Sequence, residues 1–244
     1  MLSESDLIFP DWPAPANVKA IQTTRNGGKS MAAYASMNLG AHIGDNPLVV
    51  DANRQLLNQF VPTEPLWLQQ VHGVRVVNAA IASCLPEADA SFSRVYGAVC
   101  TVMTADCLPV LFCNDAGTVV GVAHAGWRGL LGGVIEATVA AMEEAPATMM
   151  AWLGPAIGPQ AFEVGAEVRD VFVAHNPQSA RAFTSRPGEK WLADIYQLAK
   201  QRLQALGIVR IYGGDFCTYT DAERFFSYRR DGVTGRMASM IWLS

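Results

Sequence analysis

The sequence predicts an α+β fold, mixed β-sheets flanked by helices, and three observations predict it. Short apolar runs rich in β-branched residues, at 98–103, 110–113 and 118–123, have the length and composition of buried strands. Asn114-Asp115-Ala116-Gly117, between the last two, is a hairpin turn signal and requires an antiparallel pair. Strand-like and helix-like stretches alternate only loosely, which disfavours a doubly wound parallel sheet.

The elements follow in order. A Pro-rich lead-in over 10–15 precedes a first strand at 18–24. An amphipathic helix is expected over 50–60, ahead of Val61-Pro62. Strands at 66–71 and 74–77 flank the His72-Gly73 step. After the three buried runs, helical spacing over 130–142 ends before Pro146, and a strand at 149–153 is closed by Gly154-Pro155. Helices are expected over 164–175 and 191–206, the second stopped by Gly207. Strands at 209–212 and 237–243 complete the chain.

With 244 residues, half of them hydrophobic and only 16% charged, the chain can bury a sizeable core. No repeat or linker divides it, so 1–244 reads as one domain. A net charge of -4 argues against nucleic acid or an anionic membrane as partner. No apolar run approaches the length of a membrane helix. The acidic start, Leu2 to Asp6, lacks the basic and apolar regions of a signal peptide, so a cytoplasmic protein is expected. A monomer or weak homo-oligomer is expected. The five cysteines include no Cys-x-x-Cys pair and do not form a disulfide framework; Cys100 and Cys113 lie in apolar runs and read as small buried hydrophobes.

The chemistry gathers in three short contexts: Gln69-Gln70-Val71-His72-Gly73, Thr104-Ala105-Asp106-Cys107-Leu108-Pro109 and Ala123-His124-Ala125-Gly126-Trp127-Arg128-Gly129. Two imidazoles and a thiolate can hold zinc and leave its fourth position open, as a catalytic zinc requires. The chain has only four histidines, so two of them at glycine-flanked strand ends carry weight. Each residue alone also suits a plain structural role, and their separations match no standard zinc motif. A helix expected near Trp127 puts Arg128 in its first turn, where free backbone N–H groups and a guanidinium favour an anion. Gly154-Pro155-Ala156-Ile157-Gly158-Pro159 can also expose N–H groups to an anion. It leads to Glu163, which suits either a site carboxylate or a helix N-terminal charge. Arg229, Arg230 and Arg236 form a basic group that fits an anion site or a solvated hairpin. For Asp89, Arg25 and Asn38, in polar stretches, turn or capping roles are the simpler expectation.

Other signatures fail. Gly27-Gly28-Lys29-Ser30 lacks the leading glycine of a P-loop, where Thr23 stands, and no Gly-x-Gly-x-x-Gly fingerprint exists. The nucleobase-deaminase zinc signature is absent as well.

Taken together and in order, the motifs closely resemble the YfiH-type family. It is also called DUF152, the multicopper polyphenol oxidase family and the peptidoglycan editing factor (PgeF) family. The likeness runs from Thr24-Arg25-Asn26-Gly27-Gly28 and Asn38-Leu39-Gly40, through the His72, Cys107 and His124 contexts and Ala88-Asp89-Ala90, to Phe226-Ser227-Tyr228-Arg229-Arg230 and Gly235-Arg236-Met237. The resemblance implies mixed sheets flanked by helices, like the deamidating toxins that use a Cys–His pair. It implies zinc on His72, Cys107 and His124. It also implies purine nucleoside chemistry: phosphorolysis of adenosine, inosine and methylthioadenosine, and deamination of adenosine. Purine nucleoside and phosphate are then the partners. Arg25, Asn38, Gln70 and Arg128 are the candidates to bind them, and Asp106 or Glu163 to manage a proton.

Two further readings compete. A four-copper oxidase needs many imidazoles, and only His42 and His175 remain, although a copper ion in the zinc site would still permit oxidation. A metal-free amidase would use Cys107 as nucleophile and His124 or His72 as base, which suits editing of a peptidoglycan precursor.

Overall fold

The computed structural model describes residues 2–244. In chain order its elements are β1 (Leu7–Ile8), β2 (Val18–Thr23), α1 (Pro47–Leu56), β3 (Val76–Asn78), β4 (Ala90–Ser93), β5 (Cys100–Thr104), β6 (Leu108–Asn114) and β7 (Val120–Ala125). They continue with α2 (Trp127–Gly132), α3 (Val134–Met142), β8 (Met149–Leu153), β9 (Glu163–Gly165), α4 (Ala166–His175), β10 (Phe183–Arg186) and β11 (Lys190–Ala193). The last are α5 (Ile195–Leu206), β12 (Arg210–Gly213), α6 (Tyr228–Asp231) and β13 (Met237–Leu243).

Side-chain alternation explains the layering. Along β6, Leu108, Val110 and Phe112 point into one core and Leu111 and Cys113 into another, and all five are fully buried. β8 divides likewise, with Met149, Ala151 and Leu153 on one side and Met150 and Trp152 on the other. Strands buried on both faces read as continuous apolar runs. They belong to a six-stranded sheet of order β12-β8-β6-β7-β4-β3, parallel only at its two ends. One face packs on α3 and α5 through Val134, Ile135, Leu198 and Leu203. The other packs on an antiparallel sheet of order β1-β2-β13-β5, through Cys100, Val102, Ile241 and Leu243. The far face of that second sheet is covered by Met37, Leu39, Leu57 and Trp67. The order through the molecule is helix, sheet, sheet, then α1 with the N-terminal loops, as mixed sheets flanked by helices should be. No helix among the described residues is long and apolar enough to cross a membrane.

Several expected elements shift, each for a local reason. The 66–71 run forms only isolated bridges, Leu66 to Cys100 and Gln69 to Glu87. Val164 and Trp191 are strand residues: β9, β10 and β11 form a separate three-stranded sheet, and α4 and α5 start at Ala166 and Ile195. The 130–142 helix is split at Gly133, whose φ of 98° ends α2 and opens α3. α1 begins at Pro47, three residues before the expected start, because the Asn46 side chain accepts from the Leu48 amide and Pro47 suits the first turn. The hairpin turn is as expected, with Gly117 at φ 61° joining β6 to its antiparallel partner β7.

Candidate active site

β5 and β7 end, and β6 begins, at the same edge of the two-sheet stack, and that edge carries the site. Cys107 lies between β5 and β6, and His124 is the penultimate residue of β7. His72 sits on the turn before β3 with φ 60°, a sparsely populated conformation for a side-chain-bearing residue. A single carboxylate holds that turn. Asp89, fully buried, accepts the backbone N–H groups of Val71 (3.1 Å), His72 (2.9 Å) and Gly73 (2.7 Å). The same carboxylate bonds Nδ1 of buried His124 at 2.8 Å. It therefore sets the position of one imidazole and the tautomer of the other, leaving Nε2 of His124 free to act as a ligand.

The three chemistry-bearing side chains converge. Sγ of Cys107 lies 3.8 Å from Nε2 of His72, the two imidazole centroids are 4.8 Å apart, and all three ligand atoms fall within 4.8 Å of one another. Thiolate and imidazole ligands of a tetrahedral zinc lie about 3.6 Å apart, so this donor set fits such an ion after small adjustments. Gly126 shows how tightly the backbone passes: a Cβ there would lie 2.8 Å from the Cys107 sulfur and 3.0 Å from the His72 ring.

The electrostatics favour the ligand form of the sulfur, whereas His124 must release a proton before it can ligate. Burial alone pushes the Cys107 thiol up, but His124 and then His72 beside it bring it down to about 6. Burial makes the His124 imidazolium less favourable, yet the Cys107 sulfur and the Asp89 carboxylate raise it to about 9. Without metal the pair is thiolate and imidazolium at neutral pH.

A cavity of about 540 Å³ opens over the cluster. Gln70, Asp106 and Arg128 line it, as do His42, Arg229 and Arg236. No carboxylate among the described residues lies within ion-pair distance of Arg128, Arg229 or Arg236. Arg128 stacks on the Trp127 ring, 4.4 Å from its centroid. Burial, then the neighbouring Arg236 and Arg54 guanidinium groups, hold the His42 imidazole below its ordinary value, so it faces the cavity neutral.

Other expected site residues lie elsewhere. Glu163 is exposed on β9, outside the cavity wall, and its backbone oxygen accepts from the Arg229 guanidinium at 2.6 Å. Arg25 is spent on the carbonyls of Ala35 (3.1 Å) and Ala222 (2.9 Å) and lies over the Phe226 ring. Asn38 is fully buried, its amide shared among Gly40, Asp45 and the Arg236 backbone. Neither Arg25 nor Asn38 lines the cavity. Gln70 lines the cavity, but its amide brackets the Met103 backbone, donating at 2.8 Å and accepting at 2.7 Å.

The expected N–H nest at 154–159 does not exist. Its amides are already bonded: Gly154 to Pro109, Ala156 to the Tyr196 hydroxyl, Ile157 to Asp106 and Gly158 to the Cys217 sulfur. Of the C-terminal arginines, Arg230 turns away to pair with Asp231 while Arg229 and Arg236 face the cavity. Two site features had no clear local signal. Asp89 reads as a turn aspartate, which it also is, and His42 sits in an ordinary polar loop.

The model of the family described as multi-copper polyphenol oxidoreductase laccase matches residues 19–244. A Shigella flexneri protein named purine nucleoside phosphorylase YfiH is 57% identical over 98% of this chain and 99% of its own. A Pseudomonas aeruginosa protein, also named a purine nucleoside phosphorylase, is 54% identical over 97% and 98%. A crystal structure of a Neisseria meningitidis DUF152 protein superposes with a TM-score of 0.96 at 54% identity, covering 98% of this chain and 99% of that one. With the fold, the site and these likenesses in agreement, the chain belongs to this laccase-described family, the YfiH or DUF152 family.

Proposed function

We propose that this protein is a zinc-dependent purine nucleoside phosphorylase acting on adenosine, inosine and methylthioadenosine, with adenosine deaminase activity. The observation that carries the proposal is one cavity holding a His72–Cys107–His124 ligand set beside three arginines without carboxylate partners. The printed names of the relatives support the phosphorylase half.

Phosphorolysis breaks the bond between C1′ of the ribose and the base nitrogen and forms a bond between C1′ and a phosphate oxygen. Arg128, Arg229 and Arg236 would bind and orient the phosphate dianion, with Arg229 and Arg236 taking the part expected of Arg25. Their charge would also keep phosphate near C1′ as the base departs. Neutral His42 offers both a donor and an acceptor to the nucleoside. Zinc held by His72, Cys107 and His124 would supply a Lewis acid with an open coordination position, and copper on the same three atoms would supply redox chemistry. The second imidazole nitrogen of His124 stays on Asp89, which keeps the ring aimed. Glu163 has no route to the reacting atoms, so proton handling is not assigned to it.

A second reading has its own observation. Cys107 with a thiol near 6, His124 and Asp89 form a Cys–His–Asp array. That array suits an amidase editing peptidoglycan precursors.

The deciding experiment is product analysis of zinc-loaded protein with adenosine, with and without phosphate. Adenine and ribose 1-phosphate formed only with phosphate, and lost with a chelator and in Cys107→Ala, is the expected result. No conversion under either condition would overturn the proposal and favour the amidase. Phosphate-dependent turnover that resists the chelator would remove zinc from the proposal and leave the phosphorylase.

A further inference from the structure

Asp106 stands next to Cys107, lines the cavity and has the look of a proton donor. Its bonds say otherwise. Oδ1 accepts the Thr218 hydroxyl at 2.6 Å, and Oδ2 accepts the Arg229 backbone N–H at 2.6 Å. Its own carbonyl accepts the Ile157 N–H at 2.9 Å. The residue is 8% exposed and has φ 88°. Such a backbone conformation persists only where the surroundings hold it.

The partner of Oδ2 matters most. Arg229 is the second residue of α6, whose first-turn amides have no partner within the helix. Ser227 caps the Arg230 amide from within the segment. Asp106 caps the Arg229 amide from a strand end more than a hundred residues earlier. The segment from Thr218 to Asp231 is tied together by Arg230, which donates to the carbonyls of Thr218, Tyr219 and Phe225. The Asp106 carboxylate joins that unit to the Cys107 turn at both of its ends. Tyr228 and Arg229, on the same helical turn, form part of the cavity wall.

We propose that Asp106 is a positioning residue: its carboxylate clasps the 218–231 segment and so fixes the distance between the arginine-bearing wall and the Cys107 cluster. The clasp serves the anion that the wall binds, and in this it rests on the phosphorylase reading above. With both oxygens committed, Asp106 exchanges no proton with substrate.

Asn at 106 separates this from acid–base catalysis. Asn tolerates positive φ. Its Oδ1 can still accept the Arg229 N–H, and its Nδ2 can donate to the Thr218 hydroxyl, so the clasp survives while the ionisable group is lost. Asp106→Asn is therefore expected to keep kcat and the KM for phosphate within about twofold. Asp106→Ala removes both hydrogen bonds of the clasp and is expected to raise the KM for phosphate about tenfold, with a smaller change in kcat. Thr218→Val removes half the clasp from outside the cavity and should raise that KM about threefold. An Asp106→Asn enzyme with a collapsed kcat and unchanged KM would overturn the proposal. So would a Thr218→Val enzyme with unaltered kinetics.

A readout free of activity covers the failure of the phosphorylase reading, or of Asp106→Ala to fold. Amide hydrogen exchange in peptides covering 218–231 should speed up in Thr218→Val, and in Asp106→Ala where it folds, but not in Asp106→Asn. Unchanged exchange in Thr218→Val rejects the clasp whatever the substrate proves to be. Faster exchange without phosphorolysis in the wild type keeps the clasp and rejects the phosphorylase.

Discussion

Cys100 and Cys107 are seven positions apart and have opposite chemistry. Cys100, on β5, and Cys113, on β6, lie between the two sheets among Val102, Leu111 and Ile241, and burial pushes each thiol up to about 12. Cys107, where the same two strands meet the sheet edge, falls to about 6. The interior offers apolar neighbours that penalise a thiolate; the edge offers two imidazoles and, through them, a buried carboxylate. The lesson is that burial makes a cysteine inert unless a partner for its charge is buried with it. Cys100, Cys113 and Cys107 are sorted by that rule.

The largest test of the contrast is substitution. Cys107→Ala should remove the bound metal and lower phosphorolysis about a thousandfold or more, the loss of several kcal/mol of transition-state stabilisation. Cys113→Ala should leave metal content and turnover intact and cost about 1 kcal/mol of stability. Metal analysis, kinetics and urea melts of the pair decide the matter. If Cys113→Ala also lost its metal, the division between interior and edge would fail.

Alkylation reads the same contrast in the wild type. A thiol near 6 is roughly nine-tenths thiolate at pH 7. Cys107 of metal-free native protein should therefore take up iodoacetamide readily, and Cys100 and Cys113 only after unfolding. Peptide mass spectrometry reports each site. Zinc should protect Cys107, and protection of Cys100 instead would contradict the assignment.

Asp89 sharpens the comparison, being the carboxylate that the interior cysteines lack. Asp89→Asn should weaken metal binding about 10–100-fold and cost about 2–3 kcal/mol. Burial opposes its charge, but the His124 hydrogen bond and the Gly73 and Val71 amides outweigh that and hold its carboxyl below the ordinary value. A depressed carboxylate stabilises the fold above its unfolded value, near 3.8, and loses that contribution as pH falls through its folded one. The difference in Tm between wild type and Asp89→Asn should hold steady at neutral pH and shrink under strong acid. A difference that widened there would reverse the sign.

Gly126→Ala tests the packing at the edge alone. The N-cap φ of -59° suits alanine, so the effect comes from the 2.8 Å contact with the Cys107 sulfur. Metal affinity should drop about tenfold, as when a supporting contact of a metal site is lost, with little change in Tm.

The smallest effect is a cancellation. The lowered Cys107 thiol adds stability as pH rises from about 6 towards 9, and the raised His124 imidazole loses its contribution as pH rises to about 9. Folding moves a proton from sulfur to nitrogen with almost no net uptake. The Tm of metal-free protein should therefore be nearly flat between pH 6.5 and 9, and a steep slope there would show that the two groups do not titrate as one pair.

Much of this was legible before the structure. The β6–β7 hairpin, the buried runs and the helix opening at Trp127 follow from alternation, turn chemistry and helix-start signals acting over a few residues. The sheet of β9, β10 and β11 was not legible, because its strands are short and lead straight into helices. At the site, His72, Cys107, His124 and Arg128 were found as residue types in suggestive contexts. Glu163 looked equally suitable and faces elsewhere.

By itself the sequence determined the strands, the turns and the ligand chemistry, since those depend on neighbours along the chain. Tertiary structure alone decided that His72, Cys107 and His124 converge, that Asp89 bonds to both histidines, that Arg229 and Arg236 line the cavity while Arg25 does not, and that Asp106 bonds to the first turn of α6. Each of those contacts joins strand ends or loops far apart in the chain. Their positions follow from the register of long-range pairs such as Met237 with Thr104 and Pro109 with His124. No local preference encodes such a register; the packing of two sheets buried on both faces imposes it.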